Sequence, residues 1–164
     1  IPGNACTIVA TTMVGKYMGM KNHEEAKNIN FYLVKLATVC KVAVSLLVFP
    51  LATVIASIYS RDPEVIRLTS QIIRINAVVI PILWPVAFII PSGLRGAGDS
   101  KFTMVVSIVS LWIFRVFIGY LFSITLKFGI TGLWIAMYFD WVTRGIIYYC
   151  RLRGEKWREK VVIS

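Results

Sequence analysis

Residues 81–101 read PILWPVAFIIPSGLRGAGDSK and join a proline-rich apolar segment to a short charged one. Pro81, Pro85 and Pro91 lack the backbone N–H that a regular helix uses, and the residues between them are apolar. A bilayer tolerates such a helix because neighbouring helices and side chains supply partners for the freed carbonyls. We therefore predict a kinked membrane helix at this place in the chain.

The charged end of the same stretch predicts a tight turn at the membrane surface. Three glycines permit the positive φ angles that a sharp turn needs: Gly93, Gly96 and Gly98. Arg95, Asp99 and Lys101 place charge where the chain should leave the bilayer. A phosphate-binding loop is excluded, because no strand precedes the glycines and no Gly-Lys-Ser/Thr follows them.

The composition identifies the class of protein. Of the 164 residues, 57% are hydrophobic and 16% are charged, with a formal net charge of +10 and a mean hydropathy of +0.73. The basic residues lie in short runs between long apolar segments, which indicates loops that orient a membrane protein rather than a nucleic-acid partner. Cys6, Cys40 and Cys150 lie apart in apolar runs, so we interpret them as packing residues and predict no disulfide and no metal site.

The apolar segments predict an all-α polytopic membrane bundle in a single domain, residues 1–164. The approximate spans are 1–19, 33–59, 75–92, 102–126 and 129–150, followed by a basic tail at 151–164. The positive-inside bias places the tail, Lys16, Arg95 and Lys101 in the cytoplasm and Lys127 outside. Because the chain starts at Ile1 rather than Met, we expect it to begin partway into a longer protein.

Several features outside the spans have plain structural interpretations. Residues 21–27 have a helical pattern suited to the membrane surface, and His23 among them is interpreted as a solvated loop residue. Residues 60–64 combine the signals that start a helix. Lys41 is expected to reach back to the lipid head groups as an anchor. Four aromatics at span edges fit an interfacial belt: Tyr59, Tyr148, Tyr149 and Trp157.

Two charges lie deep within the last two predicted spans. Counted from the turn near Lys127, Arg115 and Asp140 are at similar depth on antiparallel neighbours, at ~1.5 Å per residue. An unpaired charge there costs roughly 2.5–3.5 kcal/mol, so we predict that they pair. The alternative is that Asp140 faces a cavity as a titratable or cation-binding acid. Arg74 and Asn76, at the mouth of the third span, fit an interface or a cavity wall equally well.

These residues together carry a resemblance to a known family. The segments PSGLRGAGDS, LWIFRVFIGYL and GITGLWIAMYFDWVTRGIIYYCRLRGEKW resemble the carboxy-terminal lobe of multidrug and toxic compound extrusion (MATE) transporters, and ACTIVATTMVGKYMGMKNHEEA is similar to an earlier helix of that lobe. The chain departs from the family's pattern at Lys16, Ser100 and Val116–Phe117.

The resemblance implies a multi-pass transporter of the inner (plasma) membrane, made of two six-helix lobes. This chain would supply about five of the helices and lacks the amino-terminal lobe. The resemblance further implies export of organic cations by alternating access, in exchange for Na⁺ or H⁺, with no other cofactor. The family's coupling acids lie in parts that are absent here or in the tenth helix, and the matching segment 75–92 contains no Asp or Glu.

The candidate site residues follow from both arguments. Substrate or ion pathway candidates are Arg74, Asn76, Trp84, Arg115 and Asp140. Candidate gating or motif residues are Pro81, Pro85, Pro91, Arg95, Gly96, Gly98 and Asp99. An enzyme is not expected, because the spans contain no catalytic constellation. The alternatives left open are a flippase for lipid-linked oligosaccharides with related architecture, and a non-transporting membrane assembly subunit.

Overall fold

The computed structural model describes residues 2–125, 127–154 and 156–158, and these residues form five helices. They are α1 (Pro2–Gly19), α2 (His23–Tyr59), α3 (Pro63–Gly96), α4 (Ser100–Thr125) and α5 (Gly129–Arg153). The helix α4 begins as a regular α-helix and continues in π-helical turns at Leu111–Ile118 and Leu121–Thr125. No strand occurs in these described ranges, which confirms the all-α prediction.

Three of the described helices, α2, α3 and α4, are long and apolar enough to cross a membrane. For α1 and α5, spanning stays a prediction. The predicted span 33–59 lies within α2, but the helix begins ten residues earlier, at His23. The helical pattern predicted at 21–27 is thus confirmed from His23 onward, as the first turns of α2, and its place at the membrane surface stays a prediction. Asn22 caps the longer helix by accepting a hydrogen bond from the Glu25 amide at 3.2 Å.

The helix α3 lies at the centre of the fold and contacts each of the other four helices. It starts where the sequence predicted, because Asp62 accepts a hydrogen bond from the Glu64 amide at 2.9 Å and Pro63 takes the first helical position. It then continues without a break through all three of its internal prolines to Gly96. Pro81, Pro85 and Pro91 are buried against the neighbouring helices.

The turn after α3 uses one glycine rather than three. Gly98 has a φ of 89°, and the amides of Gly98 and Asp99 donate to the carbonyls of Arg95 and Leu94 at 3.0 and 2.9 Å. This pair of bonds is the Schellman arrangement, which favours glycine at its left-handed position. The prediction of turn geometry at Gly93 and Gly96 is wrong, since both lie inside α3.

The two inner glycines of α3 instead allow close contacts with α1 and α2. A Cβ atom on Gly96 would lie 2.2 Å from the carbonyl oxygen of Thr11, and one on Gly93 would lie 1.9 Å from the Asn30 amide nitrogen. On α1, a Cβ on Gly15 would lie 3.2 Å from the Gly96 oxygen, so α1 and α3 touch backbone to backbone.

Within the described part of the tail, Trp157 packs into the bundle instead of facing lipid. Trp157 is fully buried with Val14 and Met18, and its indole nitrogen donates to the Leu152 carbonyl at 2.9 Å. His23 meets the Trp157 ring edge to face, with the ring centroids 6.3 Å apart. The predictions of an interfacial Trp157 and a solvated His23 are therefore wrong. Lys160, predicted in the same basic tail, lies outside the described residues.

The remaining edge aromatics and the cysteines divide by exposure. Tyr148 is fully buried and donates to the Thr103 carbonyl at 3.0 Å, which contradicts its assignment to the belt. Tyr59 is 84% exposed, as a belt residue would be. Cys6 is buried and Cys40 half-buried, whereas Cys150 is exposed, so the interpretation as a packing residue fails for Cys150 within this chain.

Candidate functional site

A buried carboxylate joins α4 to α5. Asp140 is completely buried, and one of its oxygens lies 3.6 Å from the Nε atom of Arg115. The structure thus brings together the two charges that depth counting placed at the same level. The Ser110 hydroxyl donates to the other carboxylate oxygen. Arg144, one turn further along α5, donates to the oxygen that faces Arg115.

Arg144 is the stronger partner of Asp140, and the sequence reasoning missed it. The Arg144 side chain is 10% exposed and the Arg115 side chain is 43% exposed. The spacing of four residues between Asp140 and Arg144 is the signal that would have found it, because residues i and i+4 are neighbours on a helix. This buried cluster contains two arginines and one acid, so its formal charge is +1.

An array of five aromatic side chains crosses from α3 to α5. Trp84 stacks on Phe88 with centroids 5.0 Å apart, and Phe88 meets Trp141 edge to face at 5.8 Å. Trp141 contacts Tyr138 at 6.4 Å, and Tyr138 contacts Trp134 at 6.3 Å. All except Trp141 are partly exposed. A row of this kind presents ring faces that attract cations through their quadrupoles.

Lys41 lies at the α3 end of the aromatic array. Its Nζ atom is 3.9 Å from the centre of the Trp84 ring. The prediction that Lys41 is a head-group anchor is wrong, because its ammonium lies against Trp84, near the middle of the predicted span 75–92, and not at an end of the bundle. A Cβ atom on Gly3 of α1 would lie 2.9 Å from the Lys41 stem, so the side chain is enclosed from that side too.

A pocket of about 300 Å³ adjoins Lys41 between α2 and α3. Asn76 and Ser45 supply its other polar groups, and the rest of the lining is mainly aliphatic. The Asn76 side-chain oxygen accepts a hydrogen bond from the Tyr138 hydroxyl at 3.0 Å, which connects the pocket to the aromatic array. The sequence left open whether Asn76 lies in a helix interface or lines a cavity, and this geometry favours the cavity wall.

Arg74 lies two residues from Asn76 but contributes to an interface. Its Nη2 atom donates to the Thr53 hydroxyl on α2 at 3.2 Å, and Arg74 does not line the pocket beside Asn76. Trp84 contacts Lys41, and Asn76 lines the pocket beside Lys41, whereas Arg74 does neither. Arg115 and Asp140 form a second cluster, linked to the aromatic array because the Arg144 guanidinium lies 5.8 Å from the centre of the Phe88 ring.

Three of the motif residues at the end of α3 connect it to other helices, whereas Arg95 bonds within α3. Asp99 is buried and accepts a hydrogen bond from Arg151 of α5 at 2.8 Å. Arg95 is exposed and donates to the Ser92 hydroxyl at 2.8 Å. Gly96 allows the contact with α1, and Gly98 forms the turn.

Comparison with known proteins identifies the family. The family described as MatE matches residues 2–121. The chain belongs to the MatE family. This confirms the resemblance predicted from the sequence, and the family is one of transporters rather than enzymes.

The relatives of this MatE chain include two curated bacterial proteins. The uncharacterized transporter YisQ of Bacillus subtilis (strain 168) is 29% identical over 158 residues, which cover 96% of the chain and 34% of YisQ. The probable multidrug resistance protein NorM of Thermotoga maritima is 23% identical over 164 residues, which cover all of the chain and 35% of that protein. The MatE chain therefore spans about a third of the length of these relatives.

A solved structure shares the fold of the MatE chain. The MATE transporter ClbM, solved in complex with Rb⁺, superposes with a TM-score of 0.81 at 18% identity, covering 93% of the chain and 36% of ClbM. The five-helix arrangement is thus a MATE transporter fold. MATE transporters are membrane proteins, which agrees with the three helices that are long and apolar enough to cross a bilayer.

Proposed function

We propose that this chain forms most of one lobe of a multidrug antiporter in the inner (plasma) membrane, coupled to Na⁺ or H⁺ and exporting organic cations by alternating access. Its partners are the amino-terminal lobe of the same protein, the lipid bilayer and the organic-cation substrates. Membership of the MatE family and the relatives named as multidrug resistance proteins support this function. The single observation that carries it is the aromatic array across α3 and α5.

The aromatic array suits substrates that share charge and size rather than one shape. Stacked and edge-to-face rings offer several positions for a flat cation, with no set of directional hydrogen bonds that would select one molecule. Asn76 and Ser45 line the pocket next to it. Rocking of two bundles about a site between them would present such a wall to each side of the membrane in turn.

Asp140 suits a structural part in this mechanism better than cation binding. Its carboxylate accepts a hydrogen bond from Ser110 and forms ion pairs with Arg115 and Arg144, and the side chain is completely buried. An organic or inorganic cation would have to displace an arginine from it. The acid that couples transport to Na⁺ or H⁺ is therefore assigned outside this cluster.

The first test is the substitution Trp84→Ala in the complete transporter. A substrate cation would replace the Lys41 ammonium on the Trp84 ring. Loss of that cation–π contact costs about 0.5–2 kcal/mol, so KM for efflux of a fluorescent cation such as ethidium should rise about 2- to 30-fold. Trp84→Phe, which keeps an aromatic ring, should have a KM between those of the unchanged protein and Trp84→Ala. Trp112→Ala is the matched control, since Trp112 is 63% exposed on α4 and outside the array. Equal effects of Trp84→Ala and Trp112→Ala would contradict the assignment.

The flippase remains a second candidate because one specific observation favours it. The array and the buried cluster together contain three basic side chains and one acid: Lys41, Arg115, Arg144 and Asp140. An excess of base is what a phosphate-linked oligosaccharide would require of a cavity.

Lys41→Gln distinguishes the two functions. If organic cations are the substrates, removing the ammonium from the face of Trp84 frees that face, and KM for the cation should fall or stay unchanged. If an anionic lipid-linked sugar is the substrate, the same change should raise KM by about tenfold, the effect of one lost charge-assisted contact. The measurement is efflux of ethidium from cells beside flipping of a fluorescent polyprenyl-phosphate sugar in vesicles, both with the complete protein.

A further inference from the structure

A second groove lies away from the aromatic array, between the end of α3 and the first turns of α4. It has a volume of about 470 Å³, and its basic residues, Arg95 and Lys101, are both exposed. No acid is among the described residues that line it. The carboxylate between the two in sequence, Asp99, is 3% exposed and bonded to Arg151 at 2.8 Å. The mouth of the groove therefore has two positive charges that this acid does not neutralise.

Arg95 is oriented in this groove by its own helix. Its Nη2 atom donates to the Ser92 hydroxyl at 2.8 Å, and that hydroxyl donates to the Phe88 carbonyl at 2.8 Å. This chain of bonds uses one of the five guanidinium donors and limits the freedom of the side chain. The remaining donors suit an anionic oxygen, for which a planar guanidinium is well matched.

The start of α4 adds to the positive field at the same place. Ser100 and Lys101, its first two residues, line the groove. Asp99 precedes them but makes no capping hydrogen bond with its side chain, because its carboxylate bonds Arg151. The first amides of α4 therefore lack a side-chain cap, and the positive end of a helix favours an anion.

The groove becomes apolar as it follows α4 into the predicted span. Met104 and Ile108, four residues apart and therefore on one face of the helix, are 57% and 51% exposed and line the groove beyond the basic residues. Its shape thus combines a basic, hydroxyl-bearing mouth with an apolar extension. A small soluble anion would use the mouth alone, whereas a phospholipid would use both parts.

We propose that this groove binds an anionic phospholipid, with the head-group phosphate between Arg95 and Lys101 and an acyl chain along Met104 and Ile108. The topology predicted from the basic tail places the mouth on the cytoplasmic side, where anionic lipids attract basic residues. Because the lipid would bridge α3 and α4, it stabilises the end of the central helix. The site is independent of the substrate and of the coupling ion.

The test is lipid binding by the complete transporter in detergent, measured by native mass spectrometry and by the shift in Tm. Phosphatidylglycerol should bind and raise Tm, and phosphatidylcholine should do so much less. At about 1 kcal/mol per basic residue near the surface, the double variant Arg95→Gln, Lys101→Gln should weaken phosphatidylglycerol binding about 25-fold. If the double variant does not fold, Lys101→Gln alone, an exposed substitution, should weaken binding about fivefold.

Controls separate this site from general charge attraction. Lys16→Gln, Lys21→Gln removes the same charge from exposed positions that do not line the groove, and should leave binding within twofold. Equal loss in both double variants would overturn the proposal. Equal stabilisation by phosphatidylcholine, or by glycerol 3-phosphate without acyl chains, would overturn it as well, the latter because it indicates a soluble anion site.

Discussion

Asp140→Asn should lower the folded yield of the complete transporter several-fold. The substitution removes the one negative charge from a cluster in which Arg144 is buried and Arg115 half-exposed. Breaking a buried ion pair by deleting one partner costs about 3–5 kcal/mol, because the other charge stays buried without compensation. The yield is measured as the monodisperse fraction in fluorescence-detected size-exclusion chromatography, together with Tm.

Rescue by a second substitution identifies which arginine matters. Arg144→Gln combined with Asp140→Asn should recover much of the loss, because the buried arginine that lost its counter-charge is then neutral as well. Arg115→Gln with Asp140→Asn should recover less, since the Arg115 side chain is 43% exposed and lies 3.6 Å from the carboxylate. This ranking differs from what the sequence alone predicted, where Arg115 was the whole partner.

Asp99→Asn is the matched control for Asp140→Asn. Asp99→Asn also removes a buried carboxylate, but its partner Arg151 is 18% exposed near the end of α5, so a smaller loss is expected. Simple addition of the Asp140 and Arg144 losses would show that they do not interact. A normal yield with abolished efflux for Asp140→Asn would transfer Asp140 from the structural cluster to the coupling site.

Helices and charges were the predictable part of this fold. Long apolar runs give the helices directly, and the cost of isolated charge in a bilayer relates Arg115 to Asp140 by depth alone. Arg144 was missed for a physical reason. Depth counting compares neighbouring spans and ignores the next turn of the same helix, where the closest partner lies.

The sequence did not predict which side chains point into the core and which point towards lipid. Lipid is as apolar as a protein interior, so hydropathy does not say whether Trp157 or Tyr148 faces lipid or core, and both are in the core. The aromatic array could not be predicted for the same reason. The sequence singled out Trp84 and Asn76, but the array depends on which faces of α3 and α5 meet. The contact of Lys41 with Trp84 likewise depends on which face of α2 packs against α3.

The structural role of a glycine is equally hard to assign from the sequence. Glycine serves both turns with positive φ and close helix contacts, and sequence alone does not separate the two uses. Gly98 serves the turn, whereas Gly96 allows α3 to touch the backbone of α1 at Thr11. A side chain at Gly96 therefore tests whether the α1–α3 contact determines stability.

Gly96→Ala should lower the Tm of the complete transporter strongly, because its methyl group would lie 2.2 Å from the Thr11 carbonyl oxygen. Overpacking of this kind costs about 1–3 kcal/mol, occasionally more, and here the obstacle is backbone. Gly19→Ala is the matched control. A Cβ at Gly19, the last residue of α1, meets nothing within 4 Å, and alanine has the higher helix propensity, so Tm should be unchanged or slightly higher.

Rescue experiments distinguish a backbone clash from a side-chain clash on the same helix. A Cβ on Gly93 would collide with the Asn30 side chain, so Gly93→Ala should be destabilising alone and substantially relieved by Asn30→Ala. Gly96→Ala should not be relieved by Thr11→Ala, because that change leaves the carbonyl in place and also removes the Thr11 hydroxyl, which donates to the Ser92 carbonyl at 3.1 Å. Recovery of Tm in the Gly96→Ala, Thr11→Ala protein would show that the helices meet through side chains rather than through backbone.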